Sequence, residues 1–284
     1  MLFVSFRASV RPFSYLSPQL PRVARRPMSQ YTLDSYLVTP AQLNSALQKN
    51  IHSRLSTAPR IIPLCATWFL PNDTLGRTGM DTFIAGRVPR ARFFDLDAVK
   101  DPNSPYPHML PSPEDFAKAM GQLGIRRDDS VVVYDSKELG IFSAPRVGWT
   151  LQVFGHSNVH LLNNFRLWCE EGYPVESGEP EAVEPVEYPV PELDMGKVVA
   201  FEQVKEIALE QGKEGAEEVQ ILDARSEGRW KGTEPEPRPG KPCRISLPSL
   251  IIHSIQRMAI LLTRLRAFFW SYSVFHLRAS VFPS

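Results

Sequence analysis

Four consecutive residues, Val131-Val132-Val133-Tyr134, do most to limit the folds open to this chain. A run this short, β-branched and apolar at both alternate positions fits a strand buried on both faces, the place of a central strand in a parallel sheet. Helical patterns lie on either side. Upstream, Ser112-Pro113-Glu114-Asp115 supplies a capping hydroxyl, a proline for the first helical position and acids beside the positive helix end. Phe116, Met120 and Leu123 then give one apolar face. Downstream, residues 144–154 read as a helix closed by Gly155, 159–162 as a strand, and 165–171 as a short helix closed by Gly172. Val38-Thr39-Pro40-Ala41-Gln42-Leu43 opens another helix, and Ile61-Ile62-Pro63-Leu64-Cys65-Ala66 follows as an apolar strand. Alternation from residue 40 to about 172 is that of an α/β domain, a central parallel sheet flanked by helices.

The opening pattern recurs once. Val199-Ala200-Phe201-Glu202-Gln203-Val204 begins a helix, and Val219-Gln220-Ile221-Leu222-Asp223-Ala224 reads as its strand. A spacing of roughly 160 residues is domain-sized, which points to a duplicated domain whose second copy is incomplete. Between residues 173 and 197 stand five prolines and many glutamates. Such a composition is expected to stay extended, to repel itself and to bury no core. The expected organisation is therefore 1–29 as a leader or disordered tail, 36–175 as a first domain, 176–197 as a linker, 198–240 as the start of a second domain, and 241–284 as a tail of different character.

Charge divides along the chain. Lys241 and five arginines lie beyond residue 240 with no acid among them, which leaves 26 basic against 31 acidic side chains in the first 240 residues. A folded part with no basic excess argues against direct nucleic-acid binding. The three cysteines, Cys65, Cys169 and Cys243, have no repeated spacing, so neither a disulfide framework nor a zinc site is implied. The first 29 residues carry Arg7, Arg11, Arg22, Arg25 and Arg26, five serines and no acid, features of a mitochondrial presequence. A merely disordered tail is the alternative. A second start at Met28 would yield a cytoplasmic form. After Gly240 neither glycine, asparagine nor acid occurs. Three readings stay open there: an apolar segment too often interrupted by charge to span a membrane, an amphipathic surface helix, or residues from a retained intron or frameshift.

The segments Leu64-Cys65-Ala66-Thr67-Trp68-Phe69-Leu70-Pro71, Phe93-Phe94-Asp95-Leu96-Asp97, Ser104-Pro105-Tyr106-Pro107-His108-Met109-Leu110-Pro111, Val131-Val132-Val133-Tyr134-Asp135, Ser143-Ala144-Pro145-Arg146-Val147 and Gly232-Thr233-Glu234-Pro235-Glu236-Pro237-Arg238 resemble, in order, the tandem-domain rhodaneses. These are the thiosulfate and 3-mercaptopyruvate sulfurtransferases, and the resemblance runs from about Tyr36 to Gly240. It implies transfer of sulfur through a cysteine persulfide, with the cysteine in a Cys-x-x-Gly-x-x-Ala type loop of the second domain. No such segment occurs in these 284 residues. Cys243-Arg244 copies only its first two letters, and no glycine follows.

In the first domain the resemblance places Asp135 where a loop cysteine would stand, so no catalytic residue is expected there. A carboxylate cannot carry a persulfide. Cys65 reads as a small core residue and Cys169 as packing or surface. The resemblance assigns Arg229 and Arg238 to an anionic sulfur donor, whose oxygens suit guanidinium forks. Against this stands a solvated basic loop. Where the family often has His-x-Pro-Gly-Ala, this chain has Arg87-Val88-Pro89-Arg90-Ala91, losing a histidine and a turn glycine. No metal or organic cofactor is implied; a thioredoxin-like dithiol or a tRNA-thiolation carrier would be the acceptor. The chain as written is expected to be an inactive sulfurtransferase, with a non-catalytic rhodanese-like binding module as the competing reading.

Overall fold

The computed structural model describes residues 33–50 and 57–210, together with Lys213, Gly228 and Thr233. Among them, strands β1 (Leu37–Val38), β2 (Ile61–Cys65), β3 (Arg92–Phe93), β4 (Ser130–Tyr134) and β5 (Val159–Leu162) form one wholly parallel sheet in the order β1-β5-β4-β2-β3. The valine run is the central strand, as its composition requires. Val131 and Val133 stand opposite Ile62 and Leu64 of β2 on one side, and opposite Val159 and Leu161 of β5 on the other.

Alternation along β4 sends its side chains into two separate layers. Val131 and Val133 pack with Phe116 and Met120 of α3 (Pro113–Gln122) and with Val147 and Leu151 of α4 (Ala144–Val153). Val132 and Tyr134 face the other way. They meet Leu43 and Leu47 of α1 (Pro40–Lys49), Phe83 of α2 (Gly79–Ala85), and Phe165 and Trp168 of α5 (Phe165–Glu170). Helix starts and stops follow the local chemistry. The Ser112 hydroxyl accepts from the Asp115 N–H at 3.1 Å, and Gly155 and Gly172 hold positive φ of 68° and 74° where α4 and α5 end. β1, β3 and α2 were not anticipated: two-residue strands leave no apolar run to read, and the seven-residue α2 is too short to show a helical period. Further on, α6 (Phe201–Glu210) stands where the recurring opening pattern predicts a helix, while the strand expected at 219–224 lies outside the described residues. Among the described residues no helix is long and apolar enough to cross a membrane.

Residues 173 to 197 correct one expectation. The segment is extended, as its prolines dictate, but it is not excluded from the core. Tyr188 is only 6% exposed and meets the Phe116 ring edge-on at 5.8 Å. Its hydroxyl lies 3.0 Å from Nδ1 of buried His156, whose Nε2 lies 2.8 Å from the Asp129 carbonyl oxygen. A carbonyl only accepts, so Nε2 carries the proton and Nδ1 accepts from the tyrosine. Further along, the Val186 N–H donates to the Gly121 carbonyl, and the Asp194 N–H to that of Val153. Average composition hid these anchors because single residues supply them.

The altered motif at 87–91 holds the start of the same strap. Arg87, 5% exposed, pairs its backbone with Glu176 in an antiparallel bridge, and its guanidinium donates to the Gly178 carbonyl at 2.6 Å. Arg90 has φ 62°, so the left-handed turn survives without the family's glycine. Its guanidinium donates to the carbonyls of Leu47 and Asn50 at 2.9 and 3.2 Å, closing the C-terminal end of α1. The two arginines thus take structural roles.

Two substitutions test the strap. Arg87→Ala removes a buried guanidinium and its charge-assisted bond to the Gly178 carbonyl and is expected to cost about 2 kcal/mol, with faster hydrogen exchange at the Glu176 and Gly178 amides. Tyr188→Ala opens a cavity beside Phe116 and is expected to cost about 3 kcal/mol in denaturant unfolding. A Tyr188→Ala chain as stable as wild type would show that the strap contributes nothing to the core.

Candidate functional site

Loops converge at the C-terminal ends of parallel strands, and here the domain gathers its unusual polar side chains. β4 ends at Tyr134, and residues 135–143 lead into α4. Asp135, the first of them, is 1% exposed. Its Oδ2 accepts the N–H of Phe142 at 2.6 Å and that of Ala144 at 2.9 Å. These donors belong to the start of α4, where unpaired N–H groups and the helix dipole favour negative charge. The other oxygen, Oδ1, is buried without a hydrogen-bond partner. Burial therefore dominates and pushes the carboxyl up to about 6, against the opposing pull of the Ala144, Phe142 and Ser143 backbone.

The floor of the loop is equally dry. The Thr67 hydroxyl accepts the Ser136 N–H at 2.7 Å and lies 3.2 Å from the Cys65 sulfur. Burial, with the nearby Asp135 charge acting in the same direction, pushes the Cys65 thiol up to about 12. Cys65 is thus the core residue its pattern suggested, not a thiolate. Cys169, half-buried near the end of α5, has its thiol raised chiefly by burial as well.

Beside the loop lies a cluster that sequence reasoning did not assemble. Trp68 Nε1 donates to Asp97 Oδ2 at 2.8 Å, and His108 Nε2 lies 3.1 Å from Asp97 Oδ1. The indole and imidazole meet edge-to-face at 4.6 Å. Arg146, in the first turn of α4, donates to the His108 carbonyl and lies over the Trp149 ring at 4.6 Å. Burial lowers the Arg146 guanidinium to about 10. Trp68 and Asp97 each stand a few residues beyond a strand, His108 precedes α3, and Arg146 opens α4. Their position after strand ends was the available signal; their mutual contact was not. Arg229 and Arg238, expected to hold an anionic donor, lie outside the described residues.

No family model matches the chain. A probable 3-mercaptopyruvate sulfurtransferase of Schizosaccharomyces pombe is 42% identical over 184 residues, covering 64% of this chain and 59% of that protein. The structure of SseA from Escherichia coli, described through the rhodanese fold of 3-mercaptopyruvate sulfotransferases, superimposes with a TM-score of 0.58 at 31% identity. It covers 72% of this chain and 71% of its own. The sub-stoichiometric sulfur transferase subunit of yeast mitochondrial complex I gives a TM-score of 0.59 at 36% identity, with 72% and 68% covered. The chain belongs to the rhodanese-fold sulfurtransferases. It spans about 59% of the length of the Schizosaccharomyces pombe relative. Within this rhodanese-fold domain, the loop after the central strand carries a carboxylate, and the cysteine under it is buried and protonated.

The Asp135 carboxyl makes stability depend on pH. Folding raises it from an ordinary 3.8 to about 6, so between those values the folded chain binds more protons than the unfolded one. Stability from this group is present below pH 4, falls as pH rises toward 6, and is level above. At about 1.4 kcal/mol per unit, the loss approaches about 3 kcal/mol. Asp135→Asn has no such carboxyl. The unfolding free energy of wild type minus that of Asp135→Asn is expected to drop by about 2 to 3 kcal/mol from pH 4 to 7; a flat difference would overturn the assignment.

Proposed function

We propose that this protein is a sulfurtransferase of the 3-mercaptopyruvate or thiosulfate type and that residues 36–175 are its non-catalytic rhodanese-like half. The names of the similar proteins support the reaction class. The observation that carries the non-catalytic assignment is Asp135, a buried carboxylate held by backbone N–H groups at the position where sulfur chemistry would need a thiolate. A nucleophile must expose an electron-rich sulfur to its donor, and neither Cys65 nor the carboxylate does so. On this reading the 284-residue chain, which contains no Cys-x-x-Gly-x-x-Ala segment, does not itself turn over.

Finer features belong to the same proposal. Residues 198–240 begin a second rhodanese-like domain, and there Arg229 and Arg238 bind the anionic donor. A thioredoxin-like dithiol or a tRNA-thiolation carrier accepts the sulfur. The arginine- and serine-rich first 29 residues direct the protein to mitochondria, with a cytoplasmic form starting at Met28. The mitochondrial placement draws support from the complex I sulfur transferase subunit.

The test is thiocyanate formation by the purified chain, with 3-mercaptopyruvate or thiosulfate as donor and cyanide as acceptor. Rates equal to the protein-free control are expected with both donors. Turnover abolished by Cys169→Ser or Cys65→Ser would overturn the non-catalytic assignment. Capture of a partner by residues 30–195 without turnover would favour the binding-module reading, for which the same buried carboxylate argues.

A further inference from the structure

The middle of the strap is held chiefly by one side chain. Among residues 181–190, all of them described, only Tyr188 is buried. The backbone there lies against small residues at the end of α3: a Cβ on Gly121 would come within 2.6 Å of the Val186 carbonyl oxygen, and one on Gly124 within 2.4 Å of Val183 Cγ1. Glycines offer little apolar area, so the hold depends on the Tyr188 ring and its hydroxyl. The hydroxyl depends in turn on the protonation of His156. Nε2–H is committed to the Asp129 carbonyl, so Nδ1 accepts from Tyr188 only while the imidazole is neutral. A proton on Nδ1 sets two donors face to face, and His156 is the one acceptor for this hydroxyl among the described residues.

The charges around the ring divide. From the turn before β4, the Arg127 guanidinium lies 5.9 Å over the Tyr188 ring and opposes a second cation, whereas Asp128 and Asp129 favour one. Asp129 is already paired with Arg60 and Arg126. The strap adds Tyr188, with Glu184 and Glu187 exposed beside it, and α3 presents Glu114 and Lys118 along the groove that Tyr188 lines. Residues 147–155, which lead α4 to the ring, hold no titratable side chain, and His160 of β5 turns to the Ser35 carbonyl oxygen at 2.7 Å. Burial outweighs the aspartates and lowers the His156 pKa below its ordinary 6.5.

We propose that His156 and Tyr188 form a proton-operated latch: a proton on His156 frees strap residues 183–190 from α3, while the start of the strap stays fastened to Arg87. With the strap lifted, the ring meets water and takes its proton at the ordinary pKa. Below pH 6.5 the open form therefore binds more protons than the closed one. Closure is strongest above pH 6.5, weakens as pH falls toward the lowered value, and is level below it. Neither buried aspartate imitates this. The raised Asp135 carboxyl acts with the opposite sign, adding stability as pH falls, and Asp129 yields only below its ordinary 3.8. The latch is independent of whether the protein transfers sulfur.

Amide hydrogen exchange of the full chain from about pH 7.5 to about pH 5, corrected for the intrinsic pH dependence of exchange, supplies the test. The Val186 N–H, bonded to the Gly121 carbonyl, reports on the middle of the strap. Those of Glu176 and Gly178, bonded to the carbonyls of Arg87 and Ile84, report on its fastened start. Val186 protection is expected to drop by up to about tenfold per pH unit below pH 6.5, following the His156 ring titration read by NMR, while Glu176 and Gly178 stay level. His156→Gln keeps a donor for the Asp129 carbonyl but cannot titrate, and its Val186 protection is expected to be flat. A flat Val186 profile in wild type, an equal drop at all three amides, or the same drop in His156→Gln would each overturn the latch. If His156→Gln does not fold, Tyr188→Phe replaces it, keeping the ring and removing the hydroxyl. The His156 pKa is then expected to rise; a pKa unchanged from wild type overturns the proposal.

Discussion

The burial of β4 on both faces is the constraint on which the rest of this domain depends. Val131, Val132 and Val133 have no exposed surface, so two layers of helices must cover the sheet, and the chain can change direction only beyond the strand ends. There the polar backbone has to be satisfied locally, because water does not reach it. Each end of β4 meets this demand with a buried aspartate.

The two aspartates solve it differently. Asp129, fully buried before β4, receives a forked contact from the Arg60 guanidinium, a further bond from Arg126, and the backbone N–H groups of both. Burial would raise its carboxyl, yet these groups outweigh burial and hold it below the ordinary range. That is a structural charge, tying the turn before β4 to the start of β2. At the far end Asp135 has backbone donors but no guanidinium among its stabilising contacts, and burial prevails. Two carboxyls buried alike from solvent thus lie on opposite sides of the ordinary range. The presence of a counter-ion decides between them.

Much of this was legible in the sequence because it is local. The valine run, the cap at Ser112, and the glycines at 155 and 172 each act within a few residues, and the corresponding elements stand within a residue or so of their expected bounds. Cys65 was read correctly for the same reason, since a strand's alternation fixes its neighbours. What escaped was nonlocal. Trp68, Asp97 and His108 meet only because separate loops return to one edge of the sheet. Tyr188 is anchored by His156, 32 residues away in sequence, and no average over a Pro- and Glu-rich segment can register one tyrosine.

The strap and the loop express one logic. A segment too polar to form its own core is held by a few groups buried elsewhere: Arg87 at its start, and Tyr188 with His156 in its middle. His156 in turn reaches the Asp129 carbonyl, so the strap is joined to the turn that introduces β4. Burial lowers the His156 pKa despite the favourable Asp129 contacts, which keeps the ring neutral and its Nδ1 available as the acceptor for Tyr188. The domain therefore does not close at the last helix of its sheet. It closes where the strap is pinned. A segment that contributes little apolar surface of its own completes a core layer because one end of β4 offers it a fixed hydrogen-bonding partner.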